Sequence, residues 1–166
     1  PERDDFRHLT TFILDSNAAL AAAKSCGVSL TVYLTSAMLL ALQRIQDEQT
    51  PDKRRQKPIR VVVPVNLRRL FPSRTLRNFV HVIMPEIDPR MGDYEFSEIL
   101  TSVKHQLGLL VTKKNLCAMF TPNVNAERSP LLRVMPLFLK NIAMKLVYDT
   151  VGERTNCLNL SNLGDI

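Results

Sequence analysis

The run Ile59-Arg-Val-Val-Val-Pro-Val65 constrains this chain more than any other stretch. β-branched residues follow one another with almost no polar interruption, which suits an extended strand rather than a surface helix. A strand that is apolar at nearly every position leaves no side for water, so the pattern predicts cover on both faces. Helices packed on a sheet supply such cover, and the expected class is α/β, a mixed β-sheet with helices packed on it. The length agrees, since 166 residues suffice for one domain with its own core, or for a large piece of one. A hydrophobic content of 45% with 23% charged residues excludes disordered and collagen-like classes.

Other elements follow from periodicity and punctuation. Residues 8–14, HLTTFIL, read as a short strand. Ser16 or Asn17 caps an Ala-rich helix that runs to Ser25, and Gly27 supplies a left-handed stop. Ser29 opens a second helix to about Glu48, with apolar residues on most of its faces. Pro51 then breaks the chain into a solvated loop. After the strand at 59–65, Phe79 to Ile87 is expected as a second strand. Asp93 is a candidate cap for a helix over 94–111, with Ile99, Val103, Leu107 and Leu110 as its apolar stripe. Helices are expected over roughly 114–126 and 130–151, the second containing Pro136. The segment NCLNLSNLGDI reads as a strand with alternating Cys157, Asn159 and Ser161, then a turn at Gly164. Ending there, the chain is expected to be a fragment of a longer protein.

Charge is distributed unevenly. The formal net charge is +6, yet residues 53–77 hold nine of the 22 cations and no acid. The remaining 13 cations face 16 anions. A single basic segment suggests a local anionic partner, not a generally basic protein. Nucleic acid is one such partner and a binding module using 53–77 is an alternative reading. Only Phe71 is interleaved with those cations, and no nucleic-acid motif occurs.

Several classes are disfavoured. The start, PERDDFRHL, has no apolar core of a signal peptide. The longest uncharged stretch, Ser25 to Gln43, carries too many Gly, Ser and Thr residues for a membrane span and fits a buried helix better. Three widely spaced cysteines, Cys26, Cys117 and Cys157, suit reduced thiols and a cytoplasmic location, not a disulfide framework or zinc site. His8, His81 and His105 are isolated, and no GxSxG, HExxH, Walker or GxGxxG pattern occurs. His81 reads as a hydrogen-bonded structural histidine and His105 as an exposed helix residue.

Two places can bind a ligand. Strand alternation puts Asn66 and Arg68 on one face just after Pro64, at a strand end of the kind that binds ligands in α/β sheets. The plainer reading is that Asn66 stabilises a turn and Arg68 pairs with a carboxylate. Arg54, Arg55 and Lys57 read most simply as a solvated loop. Ser161, Asn162 and Gly164 form the other place: a hydroxyl and an amide before a glycine can face an oxyanion, and they also build an ordinary turn.

The order PVNLRRLFPSRTLRNF, DYEFSEILTSVKHQL, LLRVMPLFLKN and LSNLG resembles the C-terminal half of the chloramphenicol acetyltransferase-like acyltransferases. That superfamily includes alcohol acetyltransferases, wax-ester synthases and condensation domains. The opening stretch HLTTFILDSNAALAAAKSCGVSLTVYLTSAMLLALQRI resembles the start of the same half. The resemblance spans nearly the whole chain. It implies one lobe of a two-layer CoA-dependent sandwich, with residues 1–166 as the C-terminal subdomain. It implies acyl transfer from a CoA-type thioester to an alcohol or amine, with acyl-CoA as co-substrate or an acyl carrier as partner. Ser161, Asn162, Gly164 and Asn66 would line the channel, while Arg68, Arg69, Arg54 and Arg55 would meet substrate or CoA phosphates. No HHxxxDG motif is present. The resemblance places that general base upstream of Pro1, so the chain is expected to be inactive alone, to pair with an N-terminal lobe, and to form homodimers if its partner surface is apolar. A carrier that kept the fold and lost the base is a further possibility.

Overall fold

The structure is a computed structural model that describes residues 9–74, 79–129, 134, 136–148 and 157–161. Helix α1 (Ser16–Ser25) is capped by Asp15, whose carboxylate accepts the Asn17 N–H, one residue earlier than the expected cap. Gly27 follows with φ of 65°, a conformation a side chain would strain. Ser29 caps α2 (Leu30–Gln49) through its hydroxyl, as anticipated, and α2 leaves α1 at 84°. Most of α2 is at least half-buried, with Val32 and Leu39 in the core. Among the described residues no single helix is long and apolar enough to cross a membrane.

Strand β1 (Ile59–Asn66) organises the sheet. Two short strands, β2 (Val80–Ile83) and β3 (Glu86–Ile87), run antiparallel to it. They hold one register: Val63 lies opposite Ile83 and Ile59 opposite Ile87. Between them the Val61 N–H donates to the Pro85 carbonyl at 3.2 Å. Pro85 has no N–H to return, so the strand expected over 79–87 is cut in two at that residue. Far along the chain, β4 (Leu158–Asn159) pairs with β1 in parallel. The Val62 carbonyl accepts the Leu160 N–H at 2.8 Å, whereas odd-numbered residues of β1 bond toward β2 and β3. Because successive residues of a strand point their hydrogen-bonding groups to opposite sides, β4 lies on the other edge of β1.

Helix α3 (Phe96–Leu110) packs with α2 on one face of this sheet. Its start is fixed by Glu98, which accepts the Glu95 N–H at 2.8 Å. Asp93, the expected cap, is instead ion-paired with Lys53. The core is the meeting of the odd-numbered residues Ile59, Val61 and Val63, with Ile83 and Ile87, against Val32, Leu39, Ile99, Val103 and Leu107. A mixed sheet under two helices is the architecture that the valine run implied.

Cover on both faces, however, is not what the described residues show. Val62 is buried, but Pro64 and Asn66 on the same side of β1 are exposed, and Val80, Val82 and Met84 beside them are about 40% exposed. Nor do residues 9–15 form a strand: Leu9, Phe12 and Ile13 are exposed and unpaired, since β1 already has strands on both edges. Helix α4 (Lys113–Arg128) is longer than anticipated and contains Pro122. Helix α5 (Leu137–Val147) begins after Pro136, which spares the helix a kink, and leaves Phe138, Ile142 and Met144 exposed.

Candidate functional site

Pro64 creates the site. In a parallel ladder the next bond after Leu160 N–H to Val62 carbonyl would run from residue 64 to the Leu160 carbonyl. A proline cannot donate it, so the ladder lacks that bond at this end of β1. A cavity of about 580 Å³ opens at that end of β1. Val63, Ile83, Leu107 and Leu160, all core residues, form its floor, and half-buried Val65, Leu70 and Val111 continue its walls. Among the described residues its polar lining is Thr31, Asn66 and Arg69, with no acid. Both size and character lie in the range of small-molecule sites.

The rim differs from the expected one for a geometric reason. The chain does not continue as a strand past Asn66; it turns into a 3₁₀ helix, Leu67–Arg69. Asn66 caps that turn, its Oδ1 accepting the Arg68 N–H at 3.0 Å. In a 3₁₀ helix residues three apart share a side. Asn66 therefore sides with Arg69, not with Arg68, and Leu67 is buried beneath. Arg68 is exposed and already has a contact of its own. Arg69 makes no hydrogen bond or ion pair among the described residues.

Arg54 and Arg55 are elsewhere. They sit in a second 3₁₀ turn, Lys53–Arg55, before β1 begins. An eight-residue strand separates the two turns by roughly 25 Å at about 3.3 Å per residue. The basic segment is thus two groups of cations, not one patch. The first group is built into the fold through Lys53, which bridges Asp47 of α2 and Asp93. Lys53 and, to a lesser degree, Gln56 hold the Asp47 carboxyl below the ordinary carboxylate range by hydrogen bonding. Arg60, in mid-strand, pairs with Glu86.

Ser161 follows Leu160, a wall of the cavity, and is exposed. Asn162 and Gly164 lie outside the described residues, as does most of the RNF segment. His81 is half-buried with an unpaired, buried Nε2, which departs from the hydrogen-bonded role expected of it. Its ring sits edge-on to Phe120, which also meets Phe71. His105 is exposed, as anticipated. Among the described residues no three His, Cys, Asp or Glu side chains gather as a metal site.

Thr31, Leu107 and Val111 escaped sequence reasoning as lining residues, whereas Arg69 was named through the resemblance, without its place beside Asn66. The signal for Arg69 was present: an Asx cap at Asn66 converts a two-residue period into a three-residue one. Comparison with known proteins finds no match among family models, curated proteins or solved structures.

Proposed function

We propose that this chain is one lobe of an acyltransferase, supplying a wall of the channel in which an acyl group passes from a CoA-type thioester to an alcohol or amine. One observation carries the reading. The segment PVNLRR and Leu160 at the start of LSNLG, about a hundred positions apart in the chain, converge on a single apolar cavity through Pro64, Asn66, Arg69 and Leu160. They are two of the stretches whose order resembles the chloramphenicol acetyltransferase-like superfamily.

In the reaction the nucleophile's oxygen or nitrogen bonds to the thioester carbonyl carbon, its proton passes to a general base, and the carbon–sulfur bond breaks to release a thiol. Donors beside the carbonyl stabilise the tetrahedral oxyanion. Asn66 is suited to donate, because its Oδ1 is taken by the turn and its Nδ2 hydrogens remain. Ser161 is the second donor in this proposal. The base is not assigned to this chain, whose histidines are isolated and which lacks HHxxxDG. The nucleic-acid alternative draws no support from cations split between two ends of a strand.

The test is acyl transfer by the complete gene product. Incubation with acyl-CoA and a panel of alcohols and amines should release free CoA thiol in proportion to ester or amide formed. A complete protein without any HHxxxDG-type base, and without thiol release across the panel, would sink the reading.

A further inference from the structure

We infer that the cavity at the end of β1 is a binding site for a single aliphatic acyl chain, with its oxygen-bearing head held at Asn66 and Arg69. The inference rests on the acyl-transfer reading and deepens it by naming the class of acyl group: medium to long, not acetyl.

Three observations point the same way. The cavity is floored by core residues, among them Val63, Ile83 and Leu107, which are each less than 10% exposed. That floor is apolar, so a charged or heavily hydroxylated ligand would lose hydration there without replacement hydrogen bonds. Its mouth has the opposite character. The Arg68 N–H requires an acceptor, which fixes Oδ1 of Asn66 toward the backbone and leaves the amide nitrogen to face outward as a donor. Arg69 adds only donors, and among the described residues no acid pairs with it or lines the cavity. A mouth of donors over an apolar floor fits a molecule with acceptor oxygens at one end and hydrocarbon behind. A carboxylate and a thioester carbonyl share that head chemistry, and free fatty acid and acyl-CoA are its two sources.

The experiment measures displacement of a fluorescent polyene fatty acid from the full-length chain by octanoate, dodecanoate and hexadecanoate, and by the matching acyl-CoAs. Affinity should rise about fourfold per added methylene until the cavity is full, then level off. Val111→Phe, which fills part of the cavity from a half-buried position, should move that plateau to a shorter chain. Arg69→Gln should weaken dodecanoate about tenfold while leaving dodecanol unchanged. Affinity that ignores chain length, a plateau unmoved by Val111→Phe, or equal losses for dodecanoate and dodecanol in Arg69→Gln would each overturn the inference. Tighter displacement by acyl-CoA than by the free acid identifies the thioester as the source; the reverse identifies the free acid. Chain-length-dependent binding in a complete protein that never releases thiol keeps this inference and sinks acyl transfer. Turnover of acetyl-CoA alone, without chain binding, does the opposite.

Discussion

The two ends of β1 are built from the same parts and do different things. Each end carries a basic 3₁₀ turn, Lys53–Arg55 before the strand and Leu67–Arg69 after it. Each turn is capped by a short polar side chain accepting the N–H two residues on, Asp52 at 3.1 Å and Asn66 at 3.0 Å. At the first end the surroundings are acidic and cross-linked by hydrogen bonds. Lys53 joins Asp47 to Asp93, Gln56 is buried against Asp47 and Thr50, and Ile59 packs in the core opposite Ile87. At the second end Pro64 withholds a ladder bond, a cavity opens and Arg69 meets no acid among the described residues. Similar capped basic turns thus become a clasp where carboxylates approach and a candidate ligand mouth where, among the described residues, they do not.

Packing should separate the ends most strongly. Ile59→Ala removes side-chain carbons from a site that is 2% exposed and should cost about 2–5 kcal/mol. Leu70→Ala removes a similar group from the half-buried cavity wall, where space already exists, and should cost about 1 kcal/mol or less. Urea midpoints of the two variants measure the difference; equal losses would mean the second end is as tightly filled as the first.

The next effect is polar. Gln43 of α2 is buried and grips the chain ahead of α3, donating to the Tyr94 carbonyl at 3.2 Å and accepting the Tyr94 N–H at 3.3 Å. Gln43→Leu leaves both backbone groups without partners and should cost about 1–3 kcal/mol. Hydrogen exchange at Tyr94 gives an independent readout, because its amide should lose protection in the variant.

How far the sequence disclosed these two ends follows from the range of the forces involved. The valine run, Gly27 and the Ser29 cap are local signals, and the structure has them where they were read, with Asp15 displacing Ser16 as cap by one position. The break at Pro85 was legible too, had the missing return bond to Val61 been weighed. The clasp was not, since Lys53 and Asp93 are forty residues apart and nothing local says that their side chains meet. Exposure of Val80 and Val82 was equally hidden: apolar alternation tells which residues share a face, not whether another layer covers it. The cavity depends on where a parallel ladder to residues near 160 ends, which only the fold decides.

Charge should separate the ends more weakly, and by pH. Asp47 has a lowered pKa in the folded chain, because Lys53 and Gln56 hydrogen-bond its ionised form. A carboxylate of that kind stabilises the fold above its unfolded pKa of about 4, and the contribution disappears as pH falls through that value toward the lower folded one. Asp47→Asn should therefore reduce the urea midpoint slightly at pH 7 and flatten its decline on acidification. Part of the difference should vanish in high salt, because Asp47 and Lys53 are each about a third exposed. A wild-type curve superimposable on that of the variant would show that the clasp is ornamental.

The smallest effect on stability is expected at the other arginine turn, and its smallness is the point. Arg69 is exposed, pairs with no acid among the described residues, and faces a cavity and not a neighbouring element. Arg69→Gln should leave the urea midpoint within about 0.5 kcal/mol of wild type at every pH. A clear loss would mean that Arg69 holds the fold as Lys53 does, and that the two ends of β1 are both clasps. No loss, together with weaker capture of a carboxylate, assigns the cation to the ligand. A cation in an Asx-capped 3₁₀ turn, Lys53 or Arg69, would then serve stability at one end of the strand and recognition at the other, with Asp47 and Asp93 marking the end that is clasped.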